Sequence, residues 1–262
     1  MRRIALTFLA LLVTSLTHGA AFDEGVAAFD AGDYVKAVEA FKPLAEQGDP
    51  AAQYNLALVY QAMENRSEAL KSYRLAAELG SVEASYNLGL MYEYGDGVLQ
   101  DSKEAVKWYR QAAEQGLPRA QQSLGLMYAR GVGVVKDNSE AVSWFRLAAE
   151  QGYAASQETL SQMYRQGLGV PQDDNEAGKW TRLAAQQGYR AAQYNLGTMY
   201  ANGVGVIQDN VYAHMWWNIA ASQGLEDAKE NRESIAKQMS TQDISKAQDL
   251  ARQCVKQNYK DC

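Results

Sequence analysis

The sequence predicts an all-α chain, an α-solenoid of stacked helix pairs, and three observations point to it. First, the block "LGLMYEYGDGVLQDSKEAVKWYRQAAEQG" at 88–116 returns at 124–152, 160–188 and 196–224. Its period is 36 residues without slippage, visible in Tyr92, Tyr128, Tyr164 and Tyr200 and in Trp108, Trp144, Trp180 and Trp216. Second, each block holds two runs whose apolar residues keep helical spacing. Third, a G-x-G-V stretch separates the two runs in every copy. One such stretch could pass for a phosphate-cradling loop, but four matching copies are what the turns of a solenoid require.

At the N-terminus, Met1-Arg2-Arg3 precedes an apolar run from Ile4 to about Leu16 and then Thr17-His18-Gly19-Ala20-Ala21. This is the three-part pattern of a secretory signal peptide over residues 1–21, with Gly19 and Ala21 at the recognition positions for cleavage. The run is shorter than the roughly 20 residues a membrane span takes, so an uncleaved anchor is the weaker alternative. No later run is long enough to span a membrane, and the mature protein is expected in the periplasm or secreted.

Six repeats follow, at about 22–49, 50–81, 82–117, 118–153, 154–189 and 190–225. The first keeps Ala37, Phe41, Ala45 and Gly48; the second keeps Leu56, Tyr60, Ala69 and Gly80 but lacks the G-x-G-V insertion. In the first helix of a full repeat, Leu88 and Tyr92 share a face, and Gly89 lets the partner helix approach. In the second, Ala105, Trp108, Tyr109, Ala112 and Ala113 form an amphipathic stripe, and Gly116 suits the left-handed residue that ends a helix. Gly95 falls where the first helix stops, Gly97 permits the tight return, and Val98 is placed to enter the seam. Asp101 with Glu104 reads as a capping box, repeated at Asp137/Glu140 and Asp173/Glu176, with Asn65/Glu68 in the short repeat. Asp209 keeps the cap without its acidic mate. After Gly224, residues 226–262 read as two more polar capping helices, the second opening at Ser240.

These motifs, A-x-x-x-L-G-x-x-Y-x-x-G-x-G-V-x-x-D-x-x-x-A-x-x-W-x-x-x-A-A-x-x-G, resemble the Sel-one-like repeat family, relatives of the tetratricopeptide repeats, over about residues 50–224. Residues 22–48 look more like an ordinary tetratricopeptide unit. Ser161 replaces the usual glycine and Thr181 an aromatic, so the fifth repeat is expected to pack more loosely. The resemblance implies a TPR/Sel-like superhelix that binds protein or peptide partners and carries no chemistry, typically a periplasmic or secreted adaptor. It also implies two alternatives: an enzyme or binder of β-lactam or cell-wall substrates, as linked to a cysteine-rich branch, and a structural subunit of an envelope complex.

Composition narrows the chemistry. The chain carries 25 Lys and Arg against 31 Asp and Glu, with no basic block after Arg3, so nucleic acid is a poor partner. Of two histidines, His18 lies in the expected signal peptide, and His214 is expected to be exposed or partly packed. One ring assembles neither a triad nor a histidine metal cluster, so no catalytic, metal or cofactor site is expected. Cys254 and Cys262 are the only cysteines. An oxidising compartment favours a bridge over free thiols, and a bridge needs the helix to end near Asn258 and the tail to fold back. By analogy with tetratricopeptide proteins, the concave face is lined by Tyr54, Tyr86, Gln122, Glu158 and Tyr194 in one row and Leu58, Leu90, Leu126, Gln162 and Thr198 in another. Tyr94, Arg130 and Arg165 flank them, and Tyr54, Tyr86, Tyr94, Arg130, Glu158, Arg165 and Tyr194 are the candidate partner-binding residues, unless Tyr86 and Tyr194 simply continue the core stripe.

Overall fold

The computed structural model describes residues 19–260 and 262. Most of the expected signal peptide lies outside them; Gly19, Ala20 and Ala21 are helical. Among the described residues every regular element is a helix. These residues fall into two compact units, the first ending at Gln115 and the second beginning at Gly116.

In the first unit, helical residues 19–30 (α1) precede α2 (Tyr34–Glu46), α3 (Pro50–Ala62), α4 (Arg66–Glu78), α5 (Val82–Tyr94) and α6 (Ser102–Glu114). Consecutive helices pack on one another from α2 to α6. Each of these five is 13 residues, about 20 Å at 1.5 Å per residue. Phe41, Leu44, Leu56 and Val59 are buried together, with Phe22 and Tyr60 against them. Tyr73 and Tyr109 are buried in the later pairs, and burial pushes both phenols up from their ordinary pKa.

The second unit runs α7 (Pro118–Arg130), α8 (Asn138–Glu150), α9 (Ala154–Gln166), α10 (Asp174–Ala185), α11 (Arg190–Asn202), α12 (Asn210–Ser222), α13 (Glu226–Ala236) and α14 (Thr241–Lys256). The helices again pack in order from α7 to α13, and α14 returns onto α12. One core gathers Val142, Phe145, Leu160, Met163 and Trp180; another gathers Leu196, Met215, Trp216 and Ile219 under Ala247, Ala251 and Cys254 of α14.

The glycine of the first helix is a contact point for a ring. A Cβ on Gly125 would lie 2.6 Å from the Phe145 ring and one on Gly197 2.7 Å from the Trp217 ring, and Gly89 meets Tyr109 in the same way. The fifth repeat solves this position differently. Ser161 and Thr181 are both buried and their hydroxyls hydrogen-bond at 2.6 Å, so a small polar pair stands where the other repeats have glycine and ring. The two departures thus meet each other, with a hydrogen bond where the other repeats have a ring against glycine.

The G-x-G turn has two glycines for two reasons. Gly95, Gly131, Gly167 and Gly203 close their helices in the left-handed region, which costs glycine nothing. The second glycine is also left-handed, and it rests on the preceding repeat. A Cβ on Gly97 would lie 2.7 Å from Arg66 Cβ, one on Gly169 would overlap the Asn138 carbonyl, and one on Gly205 the Asp174 carbonyl. Arg66, Asn138 and Asp174 are the first residues of α4, α8 and α10, so each loop seats on the start of the previous second helix.

Capping follows half of the expected box. Asp101 Oδ1 accepts from the Lys103 and Glu104 amides at 2.9 and 3.2 Å, and Asp137, Asp173 and Asp209 repeat this. The return bond to the glutamate is not made. The amides of Asp101, Asp137, Asp173 and Asp209 instead donate to the carbonyls of Tyr92, Tyr128, Tyr164 and Tyr200, tying the two helices of a repeat together. Glu104 and Glu176 are left to pair with Lys107 and Lys179. The cap at Asp209 loses nothing by lacking an acidic mate.

Candidate binding faces of the first helices

The first helices place the candidate residues, and the two units use them differently. In the first unit, the Tyr54 ring lies 5.9 Å from that of Tyr73, and Tyr86 lies 5.6 Å from Tyr109. Both are half-buried. Tyr94, in the last turn of α5, is 72% exposed.

In the second unit the corresponding row is a polar ladder between successive first helices. Gln122 Nε2 of α7 donates to Thr159 Oγ1 of α9 at 3.4 Å, and Ser156 Oγ donates to Gln122 Oε1. Asn195 Nδ2 of α11 donates to Glu158 Oε1 at 2.6 Å, and Asn231 Nδ2 of α13 donates to the Tyr194 hydroxyl at 3.2 Å. Expected on the open face, Glu158 is only 4% exposed; its Oε2 has no hydrogen-bond partner among the described residues. Burial pushes its carboxyl up, while the bonds from Gln162 and Asn195 and the Arg165 charge pull it down. It is therefore a core-facing crosslink, whereas Arg130, Gln162 and Arg165 are exposed. Tyr194 is half-buried, like Tyr54 and Tyr86.

His214 is also more buried than expected, at 3% exposure in α12, with no partner for Nδ1 among the described residues. Burial, and then the Arg232 charge, lowers its pKa. Two further ladders were not foreseen from the sequence. Gln151, Gln187 and Gln223 donate to Gln121, Gln157 and Gln193, each at 2.8 Å. Arg74, Arg146 and Arg182 donate to the hydroxyls of Tyr92, Tyr164 and Tyr200. Their signal is a polar pair recurring 30 or 18 residues apart, which the spacing of apolar residues does not reveal.

At the C-terminal end α14 stops at Lys256, Asn258 and Tyr259 take left-handed φ, and the tail turns back. Cys254 and Cys262 are bonded with Cα atoms 5.6 Å apart. The turn brings Tyr259 against Gly188, and Gln223 Nε2 lies 3.4 Å from the Tyr259 hydroxyl. A depression of about 70 Å³ opens beside the bridge, between Tyr212, Leu250 and Gln257. Among the described residues no three His, Cys, Asp or Glu side chains are grouped to hold a metal, and no helix is long and apolar enough to cross a membrane.

Stacked helix pairs locked by recurring residues, with first-helix faces that change from repeat to repeat, define a repeat-scaffold protein of the solenoid class. The Sel1 repeat model matches residues 50–81, 82–117, 118–153, 154–189 and 190–225, and the chain belongs to the Sel1 repeat family. Proteins of this family are generally protein-interaction scaffolds, and the scaffold is typically non-catalytic. The chain is similar to c5321, a protective antigen present in uropathogenic Escherichia coli strains that displays an SLR fold: 35% identity, TM-score 0.83, over 97% of this chain and 56% of c5321. This chain thus spans little more than half of that relative. It is also similar to a Sel1 repeat protein from Oxalobacter formigenes, with 34% identity and a TM-score of 0.72 over 88% of this chain and 99% of the other. No curated protein matches the chain.

Proposed function

We propose that this protein is a periplasmic or secreted scaffold that binds protein or peptide partners through the faces of its first helices. The observation that carries this reading is a contrast within those helices. Leu88, Leu124, Leu160 and Leu196 are identical and fully buried, whereas Tyr94, Arg130, Gln166 and Asn202 occupy one repeat position with four different side chains. Packing fixes the first set; nothing in the stacking fixes the second, which is free for recognition. Tyrosine and arginine are the residues that most often anchor interfaces.

The setting rests on residues 1–21 as a cleaved leader. Cleavage after Ala21 would leave Phe22 first, and its ring already packs edge-on against Phe41 at 5.5 Å. A bridge between Cys254 and Cys262 suits an oxidising compartment. N-terminal sequencing of the exported protein should therefore begin at Phe22; recovery of residues 1–21 would overturn the leader.

A photo-crosslinking residue placed in turn at Tyr94, Arg130 and Arg165 in the native envelope should give one recurring adduct by mass spectrometry. Adducts no different from those at Lys246, on α14, would remove the first-helix assignment. The purified protein should not turn over nitrocefin; hydrolysis above background would replace the scaffold reading with the enzymatic one.

A further inference from the structure

We propose that a cleft between α7 and α9 takes an acidic segment of another protein by one bulky apolar side chain. This deepens the scaffold reading above, on which it rests, by naming the partner's chemistry. The cleft has a volume of about 200 Å³ and lies wholly within the second unit. It is lined from the C-terminal halves of α7 and α9, from α8 and from the loops at Lys136 and Leu168. Its apolar wall is Leu126, Phe145, Met163 and Leu168, with Lys136 and Gln162 among the polar groups beside it. Phe145 and Met163 belong to the buried core, and Leu126 is only partly buried against it, so the cleft leads from the first-helix face down to that core.

Stacking the repeats does not call for such a cleft. One period later the same positions hold Gln162 for Leu126, Thr181 for Phe145 and Gln172 for Lys136, so two apolar groups and the cation are lost together. Lys136 is itself a departure, since Gln100, Gln172 and Gln208 occupy its place in the other full repeats. Gln100 and Gln208 donate to the Glu93 and Ala201 carbonyls at 2.8 and 2.9 Å, tying each loop back to its own first helix. Lys136 gives up that tie for an exposed ammonium, which makes no ion pair among the described residues.

Arg130 and Arg165 bring two more cations to the same side. Arg130 stands four residues after Leu126 and Arg165 three after Gln162, so each shares a helix face with a residue lining the cleft. The Arg165 charge acts on Glu158, and Arg130 has no ion pair among the described residues. The acids from α7 to α9 are engaged or turned away. Asp137 caps α8, Glu140 accepts from Trp144 Nε1 at 2.9 Å, Glu158 is buried, and Glu150 ends α8 at the far end from Asn138. Three cations on three elements around one apolar cleft suit a phenylalanine or leucine anchor with carboxylates on both sides of it. Burial of the anchor supplies affinity, and the charges steer the segment and reject a basic one.

The test uses the full chain and three labelled peptides with blocked ends. The first carries one phenylalanine flanked by Asp and Glu, the second has serine for that phenylalanine, and the third has lysine for every acid. Fluorescence anisotropy should show binding of the first, weakening as salt rises, and binding of the other two weaker by about tenfold or more. Two variants import what the next repeat carries. Lys136→Gln should weaken the first peptide about tenfold and flatten its salt dependence, whereas Leu126→Gln should weaken it about as much and leave the salt dependence in place. Lys246→Glu, on α14, should change nothing. Circular dichroism melting of each variant separates lost binding from lost folding. The proposal is overturned by equal binding of the serine or lysine peptide, or by binding indifferent to either cleft variant. Tighter binding of a phenylalanine-terminated peptide with a free carboxylate would also overturn it, giving the cleft to a chain end. So would a dimer of the chain alone that Lys136→Gln dissolves, giving the cleft to a second copy. If no peptide binds while crosslinks at Arg130 and Arg165 still capture one partner, the acidic assignment fails and the scaffold reading stands. If no position crosslinks, the scaffold reading itself fails.

Discussion

Glu158 shows how one side chain can tie a repeat stack to pH. Burial raises its carboxyl above the ordinary 4.5, so the folded chain holds that proton to higher pH than the unfolded chain. The stability it contributes is complete below 4.5 and is lost as pH rises through the raised value. Glu158→Gln does not titrate. Its stability should match the parent near the acid end and exceed it at about pH 8, read from thermal melts at both ends. His214 acts on the other limb. Burial keeps it neutral below its ordinary 6.5, so stability falls as pH drops past 6.5 while the unfolded chain takes up a proton. Urea titrations of His214→Gln should flatten that acid-side loss. Two glycines with similar backbones make a second comparison at this scale. Gly152 has φ +86° with open space where a Cβ would stand, and Gly205 has φ +67° with the Asp174 carbonyl in the way. Alanine should cost about 1 kcal/mol at 152, for conformation alone, and about 3 kcal/mol or more at 205, where a neighbouring helix must move.

Among elements, the pairing of a first-helix glycine with a second-helix ring is a unit of two residues 20 apart, and Ser161 with Thr181 is a substitute for it. Thr181→Phe alone should clash with Ser161, and Ser161→Gly alone should strand a buried hydroxyl, each destabilising by about 1 to 3 kcal/mol. Together they should recover much of the loss, and a double-mutant cycle by denaturant unfolding measures that coupling. Additive losses would show that the two sites do not form a unit. The helices themselves were legible because period, stripe and glycine turn agree at every level. Legibility failed where a residue's partner lies in another element. The spacing of Asp101 and Glu104 suggests a closed box, but the Asp101 amide is already used by the Tyr92 carbonyl, which no local motif reveals. Ser161 and Thr181 each look like a defect on their own line of the repeat; only their contact shows the repair.

For the molecule, stability is a sum of neighbour interfaces, and the ends need separate fastening. At the C-terminal end the fastening is the return of α14 and the bridge from Cys254 to Cys262. Closing an eight-residue loop is worth about 2.5 kcal/mol by chain entropy. Cys262→Ser should accordingly lower the second unit's unfolding midpoint and raise hydrogen exchange around Gly188 and Tyr259, leaving the first unit as it was. Equal loss of protection in both units would show that the bridge does more than close an end. The candidate faces were legible as positions but not as surfaces. Sequence placed Tyr54, Tyr86, Glu158 and Tyr194 in one row, but how deeply each sits depends on its neighbours, and Glu158 is drawn inward by Asn195 37 residues later. The seating of each loop on the preceding repeat has a consequence for lineage. Gly97 and Arg66, Gly169 and Asn138, and Gly205 and Asp174 are all 31 residues apart, less than one period. A tandem duplication of any 36-residue stretch therefore carries one tooth and one socket, and whatever the breakpoint the repeated copies again set a tooth 31 residues after a socket. Such a chain can be lengthened or shortened by recombination without inventing a new joint, and it matches 56% of a longer relative with an SLR fold.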